Sequence, residues 1–229
     1  MAESCLLYYI TDRTAFARDE PTRRRRLVDK IAEAARAGVD YIQIREKDLT
    51  TRELESLAHE AVAILCQLRT ENRELRTALL INSRTDVAAA AAADGVHLRS
   101  DDILPQDARA IWNQCGAGAL TRDNPPKPPL IGISCHSPEE VKQAVENGAT
   151  FAVFAPVFEK KDASGIHPAG LTQLRQACKA NIPVLALGGV TQENAKSCFH
   201  AGAAGIAGIR IFQENDISEI VKTVRSLPL

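Results

Sequence analysis

The sequence predicts a parallel (β/α)8 barrel, and three observations carry that prediction. Eight short apolar runs alternate with longer helical patterns from one end of the chain to the other. A small-residue punctuation recurs where helices hand over to strands. No linker divides the 229 residues, so a single barrel domain over 1–229 is expected. An open doubly wound sheet is the competing arrangement.

The apolar runs lie at 6–10, 41–45, 78–82, 95–98, 130–134, 151–154, 184–187 and 205–209. Each is short, and the segments between them have helical periodicity. Those segments are 22–37, 51–68, 85–92, 105–114, 138–146, 171–180 and 193–200, with 217–225 after the last strand. Ser137-Pro138 with Glu140 starts one helix, and Thr191 ahead of Glu193 starts another. Ala37-Gly38-Val39, Ala93-Asp94-Gly95, Asn147-Gly148-Ala149 and Ala201-Gly202-Ala203 close helices, with glycine expected to supply the left-handed turn. Two segments interrupt the rhythm. Residues 121–129 hold four prolines in nine positions and read as a loop. Residues 155–170 form a long stretch after the sixth strand, on the face where barrels keep their chemistry.

Composition excludes several classes of function. There are 28 basic and 29 acidic residues, a net charge of −1, which argues against a globally basic nucleic-acid binder. The six cysteines show no CxxC or CxH pairing and read as reduced thiols rather than a zinc site or a disulfide frame. No apolar run approaches the ~18 residues of a membrane span, and the first residues carry no signal-peptide pattern. A cytoplasmic enzyme with small-molecule substrates, and no nucleic-acid or membrane partner, is the expectation. A homo-oligomer is compatible with the sequence, which does not specify one.

The candidate site residues follow from strand ends. Along Tyr41-Ile42-Gln43-Ile44-Arg45-Glu46-Lys47, alternation puts Gln43, Arg45 and Lys47 on the inner face and Ile42 and Ile44 against the helices. Two cations at a barrel mouth suggest a phosphate or diphosphate. The competing interpretation pairs Arg45 with Glu46 across the rim. Asn82-Ser83 ends the third strand, and Asp101-Asp102 follows the fourth. That carboxylate pair suits a hard divalent cation bridged by phosphate, or else caps the next helix. Ser134 and His136 end the fifth strand as candidates for proton transfer or polar binding. Gly188-Gly189 and the end of the eighth strand place glycines where barrels often hold phosphate, with Arg210 adding charge. The arginines at 23–26 read as a solvated helix face.

The motifs 7–12 (LYYITD), 43–48 (QIREKD), 80–82 (LIN), 94–98 (DGVHL), 131–137 (IGISCHS), 154–158 (FAPVF), 186–190 (ALGGV) and 201–207 (AGAAGIA) occur in an order that resembles the thiamine phosphate synthase family. That family also includes thiazole tautomerases. The resemblance implies a transferase that joins hydroxymethylpyrimidine diphosphate to thiazole phosphate, with magnesium, the diphosphate leaving first. By the same resemblance Gln43, Arg45, Lys47 and Asn82 would hold diphosphate, and Asp102 would ligate magnesium. Ser134 would sit near the pyrimidine, and Gly189 near the thiazole phosphate. This chain departs from the family in three places. Ser83 stands where an aspartate is usual, and Arg210 where a serine is usual. Glu159-Lys160-Lys161-Asp162 replaces a Thr-x-Thr-Lys segment, with Lys160 as a candidate replacement for its lysine.

Overall fold

The computed structural model describes residues 5–16, 19–115, 128–159 and 167–227. Eight strands, β1 (Leu6–Ile10), β2 (Tyr41–Ile44), β3 (Ala78–Asn82), β4 (Gly95–Leu98), β5 (Leu130–Cys135), β6 (Phe151–Phe154), β7 (Val184–Ala186) and β8 (Gly205–Gly208), close into a parallel barrel. Closure comes from β1, which pairs with β2 on one side and β8 on the other, Tyr8 standing between Tyr41 and Ala207.

Helices α1 (Glu20–Ala37), α2 (Thr51–Glu71), α3 (Thr85–Ala90), α4 (Pro105–Gln114), α5 (Pro138–Glu146), α6 (Gly170–Ala177), α7 (Gln192–His200), α8 (Arg210–Gln213) and α9 (Ile217–Arg225) complete the chain. Their starts follow local chemistry. Asp19 accepts from the Thr22 amide, Thr50 and Glu53 form a capping box, and Ser137 accepts from the Glu140 amide.

The strands bury both faces. Leu7, Tyr9, Ile42, Ile44, Leu79 and Ile81 face the helices in the outer core. Tyr8, Leu80, Phe151, Val153, Leu185 and Ala207 form a separate inner core. The N-terminal end of the inner core is aromatic, with the Tyr41 and Phe151 rings stacked at 5.0 Å and Tyr8 edge-on to both. Gly132 makes that packing possible. A Cβ there would lie 2.4 Å from the Phe151 ring and 2.9 Å from His97 Nδ1.

Several boundaries differ from the sequence expectation. β2 stops at Ile44, so Arg45 lies just past the strand. β7 and β8 end at Ala186 and Gly208, and Arg210, expected at the end of a strand, instead opens α8. The third helix–strand joint does not use glycine. Ala92 takes the left-handed conformation at φ 54, and Gly95 begins β4, where a Cβ would meet the Leu130 carbonyl. The proline-rich loop at 121–129 lies outside the described residues up to 127, as do 160–166 of the stretch after β6. In the 23–26 arginine run, Arg24 donates to Glu60 across α1 and α2, as a helix-face cation does.

Candidate functional site

The site is built at the C-terminal mouth, where a carboxylate stands beside a line of hydrogen bonds. Asp102 accepts from the Arg99 amide at 2.8 Å and from the Arg99 guanidinium at 3.1 and 3.2 Å. Burial raises its carboxyl pKa, but hydrogen bonds from Ser83 and Arg99 outweigh that and hold it below the usual range. Ser83 stands beside this carboxylate and helps to lower its pKa. Asn82 Nδ2 then donates to Ser83 Oγ at 3.0 Å, and Gln43 Nε2 donates to Asn82 Oδ1 at 2.8 Å. At the end of the line Gln43 Oε1 is buried without a hydrogen-bond partner among the described residues.

That arrangement bears on two of the expectations. The free atom of Gln43 is an acceptor, so it suits an N–H group and repels a phosphate oxygen. The aspartates at 101–102 do not act as a pair. Asp102 turns inward at 12% side-chain exposure, whereas Asp101 is 71% exposed. Neither caps α4, whose N-cap is Leu104. Among the described residues no three His, Cys, Asp or Glu side chains cluster for a metal. One carboxylate with a neighbouring hydroxyl is nevertheless an oxygen donor set that fits magnesium, which keeps waters and takes further ligands from phosphates.

Arg45 is half-buried and Lys47 exposed at the rim, and neither forms an ion pair among the described residues. The Arg45–Glu46 rim pair is not formed, because Glu46 is turned inward and already engaged. Arg13, 3% exposed, donates from Nη1 to Glu46 at 3.3 Å and grips Asp48 through Nη1 and Nη2 at 2.6 and 3.1 Å. Its Nε donates to Glu20 at 2.8 Å. Thr11 donates to Glu46, and the Arg45 amide donates to Thr11 Oγ1 at 3.1 Å. Burial lifts the Glu46 carboxyl above its ordinary range against the pull of Thr11 and Arg13. Burial likewise disfavours charge on Arg13, but its bonds to Asp48 and Glu20 hold it firmly protonated. The loop carboxylates are thus consumed by Arg13, and the loop cations are left without an ion pair among the described residues. Sequence reasoning missed Arg13 and Thr11, and considered Glu46 only as a rim partner of Arg45.

On the far wall Ser134 is half-buried and lies 2.9 Å from His97 Nε2. His136 is exposed, its Nδ1 donating to the Ala155 carbonyl at 2.7 Å, which links the ends of β5 and β6. Gly188 and Gly189 form a left-handed turn after β7, at φ 93 and 66. Part of the need for glycine there comes from the chain itself. The Phe158 amide donates to the Gly188 carbonyl at 2.9 Å, and a Cβ on Gly189 would lie 2.5 Å from the Glu159 carbonyl oxygen. Arg210 is exposed at the start of α8. Lys160 lies outside the described residues.

A family model described as thiamine monophosphate synthase matches residues 7–212. The thiamine-phosphate synthase of Syntrophomonas wolfei is 33% identical over 226 residues, covering 96% of this chain and 95% of that protein. The thiamine-phosphate synthase of Chlorobium luteolum is 38% identical over 184 residues, covering 80% and 77%. Among solved structures, thiamine phosphate pyrophosphorylase from Pyrococcus furiosus superposes with a TM-score of 0.75 at 29% identity, covering 98% of this chain and 96% of that one.

Proposed function

The chain belongs to the thiamine monophosphate synthase family, and on that premise we infer that it joins hydroxymethylpyrimidine diphosphate to thiazole phosphate, giving thiamine phosphate and diphosphate. The carbon–oxygen bond to the diphosphate breaks with both electrons leaving on oxygen, and the thiazole nitrogen forms the new bond to that carbon.

Arg45 and Lys47 take the diphosphate, and the observation that supports this is their lack of carboxylate partners among the described residues, beside a Glu46 and Asp48 already held by Arg13. Each charge-assisted contact favours the charge that grows on the leaving group. Gln43 Oε1 receives an N–H of the aminopyrimidine, since a buried acceptor needs a donor. Asp102 and Ser83 would hold magnesium, which when bound would neutralise charge on the diphosphate. The thiazole phosphate belongs at the glycine turn after β7 and the start of α8, the place where barrels commonly seat phosphate. The same reading takes residues 1–229 as one catalytic domain. The six cysteines stand as free thiols, which supports a reducing, cytoplasmic setting. Among the described residues no helix is long and apolar enough to cross a membrane.

The test mixes both substrates with magnesium and measures diphosphate release, expected with the pair and lost with chelator. Turnover of a thiazole carboxylate phosphate alone, with no diphosphate released from the pair, would replace this reading by a tautomerase.

A further inference from the structure

Three side chains from three strands share two hydrogen bonds across the barrel interior. Tyr8 Oη on β1 lies 3.2 Å from His97 Nδ1 on β4, and His97 Nε2 lies 2.9 Å from Ser134 Oγ on β5. Tyr8 is fully buried and His97 is 3% exposed, with the Tyr8 and Phe151 rings packed around the imidazole.

Each of these bonds has two directions open to it, and counting protons decides between them. The imidazole is 3% exposed and forms no ion pair with a carboxylate among the described residues, so burial keeps the ring neutral, with one N–H and one bare nitrogen. With the proton on Nδ1, the imidazole would donate to Tyr8. The phenol's own proton would then be buried with no acceptor, because His97 is the one hydrogen-bond partner of Tyr8 Oη among the described residues. Protein interiors rarely tolerate such an orphan. With the proton on Nε2, Tyr8 donates to Nδ1 and the imidazole donates to Ser134 Oγ. Every buried group is then satisfied, and the Ser134 proton is turned away from the ring toward the mouth.

We propose that Tyr8 and His97 are positioning residues that hold Ser134 as a hydrogen-bond donor to the pyrimidine substrate. This rests on the synthase reading for the substrate, and on geometry alone for the tautomer. Gln43 Oε1 offers an acceptor on one wall and Ser134 a donor on the other, and an aminopyrimidine carries both complements: an amino N–H and a ring-nitrogen lone pair. A ring with a carbonyl in place of the amino group would set oxygen against the Gln43 oxygen, so the two polarised lines select for the amino substrate.

The test begins with 15N NMR of the full-length protein labelled at histidine, with His97 assigned by its disappearance in His97→Gln. A protonated Nε2 and a bare Nδ1 are expected, and an Nδ1–H signal overturns the proposal. Steady-state kinetics supply the second arm. Tyr8→Phe should impair use of the pyrimidine diphosphate about 3- to 10-fold, the scale of one hydrogen bond, while KM for thiazole phosphate stays put. In a Ser134→Ala background Tyr8→Phe should do nothing further, as coupled sites require. An additive loss there, or equal damage to both substrates, means that Tyr8 only supports the fold. His97→Gln keeps an N–H directed at Ser134 and should retain more activity than His97→Leu, and equal losses also overturn the proposal. If His97→Leu fails to fold, Tyr8→Phe and the spectrum still decide. A wild type that releases no diphosphate defeats the synthase reading, and the spectrum then decides the tautomer alone.

Discussion

Arg13 and Arg45 are both arginines beside the same loop, and the barrel uses them in opposite ways. Arg13 is sealed in with Glu46 and makes structure, whereas Arg45 forms no ion pair among the described residues and is the residue proposed to meet the diphosphate. Arg45→Ala should therefore lower kcat/KM on the order of tenfold to a hundredfold, from one lost charge-assisted contact. Its melting temperature should stay near wild type; turnover at the wild-type rate would remove Arg45 from the diphosphate grip. Arg13→Ala leaves the buried Glu46 uncompensated, and breaking such a pair costs about 3–5 kcal/mol. Chemical denaturation measures that loss, and an unchanged midpoint would show that water or another group replaces Arg13. The difference between the two arginines was not legible in the sequence. Arg13 follows β1 as an ordinary loop cation, and its burial depends on Glu46 and Asp48, 33 and 35 residues away. For Arg45 the sequence located the end of β2 to within one residue, since the strand stops at Ile44.

Elements were legible where one local rule decided them. Strand cores such as β3, β4 and β6 match expectation because a run buried on both faces has no alternative use in a barrel. Helix α5 matches at both ends because Ser137 and Pro138 fix its start. The joint before β4 was misassigned because Gly95 resembles a helix stop, whereas its lack of a Cβ serves the contact with Leu130. The short α8 was missed since four residues give no periodicity. His97 lay in a recognised motif without an assigned role, because its partners come from β1 and β5, and no spacing within β4 announces them. Gly132 tests how tightly those strands are coupled. Gly132→Ala adds one methyl against Phe151 and His97, and overpacking of this kind costs about 1–3 kcal/mol. Thermal melting should fall accordingly, and activity should fall with it because the displaced groups adjoin Ser134. A stable, fully active Gly132→Ala protein would mean that the inner core yields without disturbing the mouth.

At the scale of the whole molecule, the buried imidazole links stability to pH. The unfolded chain binds a proton at His97 below pH ~6.5, but the folded protein does so only below about 3. Between those values the unfolded state holds more protons, so stability is full above the window and falls as pH drops through it. The slope from this one group is at most about 1.4 kcal/mol per pH unit. Glu46, raised in the folded state, acts with the opposite sign. Denaturation midpoints measured from pH 7 to 4 should therefore fall more steeply in the wild type than in His97→Gln. Parallel curves would show that the imidazole takes up its proton without unfolding.

Closure of the sheet also has a consequence for synthesis. The partner of β1 on its outer side is β8, so Leu6 waits for Gly205 and Tyr8 for Ala207. While a ribosome is still making the segment between them, the N-terminal strands carry one edge with no mate. An unpaired strand edge invites pairing with other chains, and long-range parallel pairing is slow to form. The growing polypeptide therefore passes through an adhesive stage that ends only when its last strand emerges and the ring is shut.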